Sequence, residues 1–111
     1  MEKNELLILE SVLGYNQNEN GFKENENTAQ MEVFCAVKSV GRTEYYEAAR
    51  SGIKASLIFV INKDDFEAAF RDVNGKTVKP SRVIHNNTQY LIRRSFAKEY
   101  GDLELTCEEV E

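Results

Sequence analysis

The run Arg42-Thr43-Glu44-Tyr45-Tyr46-Glu47 gathers a guanidinium, two carboxylates and two phenols within six positions. Groups of these types do acid–base work when burial or a like charge drives their pKa values apart. Glu44 and Glu47 lie three apart, so a helix would put them on one side as a candidate carboxylate pair. On an amphipathic helix such charges normally face water and contribute about a few tenths of a kcal/mol each. Nothing in the neighbouring sequence buries or opposes them, so the run reads as the solvated outer face of an amphipathic helix. His85 is the single histidine, and with Cys35 and Cys107 scattered it cannot complete a four-ligand zinc set within one chain. The sequence has no G-x-S-x-G, no cysteine beside a second histidine and no glycine loop to cradle phosphate. No catalytic residue, cofactor or metal is expected, and the chain is not read as an enzyme.

The elements that position these residues follow from length and pattern. A chain of 111 residues with 41% hydrophobic content supports one core, burying roughly two-thirds of its unfolded surface. One domain, residues 1–111, is expected. Fourteen Lys and Arg against nineteen Asp and Glu give a net charge of -5, which disfavours tight binding of phosphate backbones unless bases gather on one face. The N-terminus lacks a basic region, and Leu6 to Leu9 is too short for a signal or membrane segment. Synthesis in the cytoplasm is therefore expected, with Cys35 and Cys107 as reduced, buried thiols.

Residues 5 to 13 suit a first strand, although a short helix fits the same periodicity. Gly14 to Asn27 is rich in Asn, Glu and Gly, and residues 14–29 are expected to be a long flexible loop with Tyr15 and Phe22 as its large apolar anchors. Gln30 to Val40 reads as a strand with Met31, Val33, Cys35 and Val37 on one side. Leu57 to Ile61 is an unbroken apolar run, expected as a central strand buried on both faces. Asn86-Asn87 suits a two-residue turn that sets His85 opposite Thr88 and Val83 opposite Tyr90, and this turn is also how the sequon Asn86-Asn87-Thr88 is read. Asp102 to Glu108 alternates strictly, with Leu103, Leu105 and Cys107 facing in.

Two segments break the β pattern. Over residues 43–52, Thr43 is the expected N-cap, Gly52 the C-terminal stop, and Tyr45, Ala48, Ala49 and Ile53 the inward face. In DDFEAAFRDVNG, Phe66, Ala69, Phe70 and Val73 recur at helical spacing and Asn74-Gly75 ends a second short helix. The fold class expected is mainly β: a small barrel, SH3-like or OB-like, of about five or six antiparallel strands with one inserted helix and room for a second. Closure hides the edge strands of so small a domain. The densest basic cluster, Lys79, Arg82, Arg93, Arg94 and Lys98 with Tyr90 and Phe96 interleaved, supports an alternative reading. On it, the chain is a nucleic-acid-binding module that uses Tyr90, Phe96, Arg93 and Arg94.

The succession EVFCAVKSVGRTEYYEAARSGIKASLIFVI, TQYLIRRSF and LELTCEE resembles the head closure, or head-tail adaptor (head-tail joining), proteins of long-tailed double-stranded DNA bacteriophages and prophages. The resemblance runs from about Leu6 to Glu109, and its most specific part is Val37 to Ile61. It departs from the family pattern over Glu67 to Ser81, which is longer and more helical in character. The resemblance implies a β-barrel with an inserted helix, many copies forming a ring at the head-tail interface of a virion. It implies as partners further copies of the chain, a portal-side adaptor ring and a tail completion protein. Packaged DNA would pass through the channel without specific binding, and no membrane is involved. On this reading Tyr45 turns toward the barrel. Arg42, Glu44, Tyr46, Glu47 and Arg50 face neighbours, and Tyr15 and Phe22 anchor a loop that orders on assembly.

Overall fold

The computed structural model describes residues 2–17 and 23–110. Its strands are β1 (Glu5–Gln17), β2 (Lys23–Ser39), β3 (Leu57–Asn62), β4 (Arg71–Val73), β5 (Lys76–Val78), β6 (Arg82–His85), β7 (Thr88–Ala97) and β8 (Asp102–Glu109). Helix α1 (Arg42–Arg50) joins β2 to β3, and α2 (Lys63–Ala68) follows β3 directly. Six strands close an antiparallel barrel in the order β1-β2-β3-β8-β7-β6, with β6 returning to β1, while β4 and β5 form a separate ribbon beside β1. The expected mainly β barrel with inserted helices is the observed architecture.

Closure follows from the period-two pattern. Leu7, Leu9, Val33, Cys35, Phe59, Ile61, Val83, Leu103, Leu105 and Cys107 all point into one interior and are almost completely buried. Phe59 stands at its centre, its ring 5.2 Å from that of His85 and 5.3 Å from that of Tyr90. The unbroken apolar run of β3 makes sense here. Its inner side chains fill the barrel, and its outer pair, Ile58 and Val60, packs with Ala36 and Val40.

The hairpin between β6 and β7 has the expected register, His85 opposite Thr88 and Val83 opposite Tyr90. Asn86 and Asn87 take φ of 49° and 63°, the left-handed pair that matches the twist of the flanking strands.

Three expectations are corrected. Residues 14–17 and 23–29, expected as loop, continue β1 and β2 as a hairpin arm, with Gly14 opposite Asn27 and Tyr15 opposite Glu26. Their polar composition lacks the apolar alternation that signals a strand in the sequence. The second helix stops at Ala68, and the residues after it form the β4-β5 ribbon. Asn74 and Gly75 have φ of 51° and 80°, so Asn-Gly acts as a hairpin turn here and not as a helix stop. Phe66 and Ala69 still enter the core, where α2 seals one end of the barrel. Finally, Gly41 and not Thr43 is the N-cap of α1, in extended conformation and with no side-chain cap. The helix therefore begins two residues earlier than the Ser/Thr preference suggests.

The arm is tied down by Arg82. Its Nη2 donates to Glu26 Oε2 at 2.6 Å, and its Nε lies 2.9 Å from Oε1 of the buried Glu10, a charge contact rather than an aligned hydrogen bond. Glu10 also accepts from Gln30 at 2.7 Å and Gln89 at 3.3 Å. Arg82→Ala strands the Glu10 carboxylate among uncharged donors, and the expected loss is about 2 kcal/mol of unfolding free energy at neutral pH. Urea titration checks it. Glu26→Gln, which touches only the exposed end of the network, is expected to cost much less.

Candidate functional site

Helix α1 lies outside the barrel and is fixed there by small residues. Ala48, Ile53 and Ala55 form a cluster with Val40, the residue that also packs on the outer face of β2 and β3. Its C-terminus is set by Gly52 at φ 76°. The Gly52 N–H donates to the Ala49 carbonyl and the Ile53 N–H to the Ala48 carbonyl, each at 3.0 Å. These are the two bonds of a Schellman ending, and they bring Ile53 back under Ala48.

Only Ala48 of this helix is buried. Tyr45, expected to turn toward the barrel, is 45% exposed, and Tyr46 is 58% exposed. The residue that faces the support is Ala48, whose small side chain packs with Ile53, Ala55 and Val40. The two rings pack edge to face, 5.8 Å between centroids. Arg42, Glu47 and Arg50 are exposed around them, and Glu44 is half-buried. Ala49, expected on the inward face, is exposed as well.

Between α1 and the barrel runs an open groove of about 230 Å³, lined by Glu44, Glu47, Arg94, Phe96, Lys98 and Glu104 among others. Arg94 Nη2 donates to the Glu47 carbonyl at 3.4 Å, and Glu104 is held by Lys38 at 3.1 Å. A larger open cleft of about 470 Å³ lies at the far end of β7 and β8, near Lys54, Ser56 and Glu108. Two of its side chains are engaged with backbone: Glu108 accepts the Lys54 N–H at 2.9 Å, and Ser56 Oγ accepts the Glu109 N–H at 3.1 Å.

The remaining candidate chemistry lies at the barrel mouth. Glu5 stands opposite Cys35 in the β1–β2 register and contacts His85 Nε2 at 2.9 Å through Oε1. A thiol, an imidazole and a carboxylate are thus closer than their spacing in sequence suggests. The electrostatics oppose a nucleophile, because a reactive cysteine needs a stabilised thiolate. Burial, and after it the Glu5 charge, pushes the Cys35 thiol up to about 11, and burial pushes Cys107 up to about 12. Among the described residues no group of three or more His, Cys, Asp or Glu could hold a metal ion.

These thiols give the fold a pH dependence. The folded chain holds both protons more tightly than the unfolded chain, where the ordinary value is 9.0. Their contribution to stability is therefore complete below 9.0 and is lost as pH rises through about 11 and about 12. Urea midpoints are expected to fall as pH climbs above 9.0, with a shallower fall in Cys107→Ala.

The sequence-predicted interaction residues divide as follows. Arg42, Glu44, Tyr46, Glu47 and Arg50 share α1, and of them Glu44 and Glu47 line its groove. Tyr15 is half exposed on the hairpin arm, away from that helix in the chain's topology. Phe22 lies outside the described residues.

No family model and no curated protein matches this sequence.

Of the residues named for a nucleic-acid surface, Tyr90 is buried against Phe59 and presents no face for a base, while Phe96 and Arg93 are exposed. Sequence reasoning missed the exposed pair Leu6 and Phe34, opposite each other on the outer face of β1 and β2. The available signal was alternation itself, since both belong to the even-numbered, outward set. No helix among the described residues is long and apolar enough to cross a membrane.

Proposed function

We propose that the chain is a structural subunit of a phage head-tail connector. Copies form a ring on a portal-side adaptor ring, close the channel after DNA packaging, and offer a tail completion protein its platform. The protein works in the virion at the head-tail interface, after synthesis in the host cytoplasm, and performs no catalysis. One observation carries the reading: α1 presents two exposed tyrosines, with Arg42, Glu47 and Arg50 exposed on the same helix, whose C-terminus and underside are fixed. Rigid aromatic side chains beside charged ones are what interface anchors are made of. They also fall within the stretch that resembles the adaptor family most. A net charge of -5 suits a conduit, because a basic lumen would hold the genome through counterion release.

Electron microscopy of the protein mixed with the portal-side adaptor ring tests this. Added ring density is the expected result, and failure to incorporate at any ratio overturns the reading. The paired reversal Glu47→Lys and Arg50→Glu is expected to impair incorporation while leaving the urea midpoint in place.

A second reading, single-strand binding, draws on exposed Phe96 with Lys98 Nζ 4.7 Å above its ring, beside Arg93. The burial of Tyr90 and the carboxylates of Glu44, Glu47 and Glu104 along the same groove count against it. Salt-dependent retention of a single-stranded oligonucleotide supports it, and no retention at low ionic strength removes it.

A further inference from the structure

The barrel is closed, yet two of its strands run past their neighbours and, among the described residues, leave backbone without a strand beside it. β2 pairs with β1 along most of its length, but on its other side it meets β3 only from Ala36 to Ser39. Residues 28–35 therefore form one free edge. β7 pairs with β8 as far as Ala97, but with β6 only from Thr88 to Leu91, after which the Ile92 N–H reaches the Ser81 carbonyl at 2.9 Å. Residues 93–97 form a second free edge. Such edges are templates for another strand unless something blunts them.

The two edges are opposite in sign. Residues 28–35 contain Glu32 and no Lys or Arg; residues 93–97 contain Arg93 and Arg94 and no acid. Arg94 already donates to the Glu47 carbonyl and Lys98 lies 3.9 Å from Glu104, so the exposed Glu32 and Arg93 are the charges that a partner copy meets. Each carries a phenylalanine on the outer surface, Phe34 at 58% and Phe96 at 62% exposure, and Leu6 lies beside Phe34 at 56%. Pairing like with like would set Glu32 against Glu32, or arginine against arginine, which disfavours a strand pair. Pairing unlike edges puts carboxylates opposite guanidinium groups and covers both rings.

We propose that the free edge of β2 in one copy of this chain pairs with the free edge of β7 in a second copy, joining copies head to tail. This deepens the ring reading above and rests on it, by naming the surfaces that meet. The contact uses a different patch on each copy, so it is heterologous: it leaves one free edge of each kind after every addition and ends only when the ring closes. Charge selects the direction. The β2 edge gives the acidic partner and the β7 edge the basic one at every seam.

Thiol cross-linking tests it on the full-length chain. Glu32→Cys and Arg93→Cys, both at exposed positions, are prepared separately, mixed at high concentration and treated with a short bis-maleimide. The same reaction is run with the portal-side adaptor ring present. Native Cys35 and Cys107 are buried and hold their protons, so they give little background. Mixed Glu32→Cys/Arg93→Cys dimers in large excess over dimers of either variant alone are expected in at least one condition, and a chain with both changes is expected to give a ladder of multimers. Mixed dimers no more abundant than like dimers in both conditions overturn the edge pairing. Incorporation onto the adaptor ring is scored separately. Incorporation without mixed cross-links sinks the edge pairing and leaves the connector reading standing, whereas mixed cross-links without incorporation do the reverse.

Discussion

Phe59→Ala is expected to remove about 3–5 kcal/mol of unfolding free energy, a large share of the roughly 5–15 kcal/mol typical of a domain. The side chain is fully buried at the middle of the barrel and touches the rings of His85 and Tyr90, which come from strands on the other side of the interior. Truncation therefore opens a cavity that no single neighbour can fill. A six-stranded barrel has little freedom to collapse, because each strand is hydrogen-bonded on both sides over the closed region. Phe59→Leu, which keeps most of the volume, is expected to cost less than about half as much. Urea titrations at neutral pH measure both, and an unchanged midpoint for Phe59→Ala would rule out the interior described here.

The double substitution Tyr45→Ser and Tyr46→Ser is expected to do the opposite: large loss of assembly with little loss of fold. Both rings are about half exposed or more, and the anchoring of α1 runs through Ala48, Ile53, Ala55 and Val40 instead. Surface changes away from caps and core are usually within about 0.5 kcal/mol, so the urea midpoint is expected to move little. An aromatic anchor at a protein interface commonly contributes about 2 kcal/mol or more, roughly 30-fold in affinity for each ring. Incorporation onto the adaptor ring, read by sedimentation, is the measurement. Equal loss of fold and assembly would mean that the helix serves the barrel alone. Retained assembly would move the docking surface elsewhere on the chain.

Much of this molecule was legible from pattern. The strict alternation of β8 placed Leu103, Leu105 and Cys107 inside, and the unbroken run of β3 marked a strand covered on both faces. Asn86-Asn87 fixed the register of β6 on β7, because two adjacent residues with positive φ permit one kind of tight turn. Gly52 marked the end of α1 for a related reason: the helix there needs a backbone conformation that side chains resist. The candidate site was legible in position but not in orientation. Arg42, Glu44, Tyr46, Glu47 and Arg50 do share α1, whereas Tyr45 was placed on the wrong side. Helical periodicity tells which residues share a face, and the depth of the surface beneath decides which face goes down.

What the sequence alone determined, then, is the set of strands whose side chains obey a local period, and the turns whose backbone only Asn and Gly tolerate. The tertiary structure decided the rest. The polar arm of β1 and β2 is a ladder because Arg82, from β6, reaches Glu10 and Glu26 across it, a contact made between residues far apart in the chain. Closure brought Glu5, Cys35 and His85 to one mouth and left the edges of β2 and β7 open. Which edge stays free depends on how far each strand outruns its neighbours, and that is a property of the closed barrel, not of any one segment.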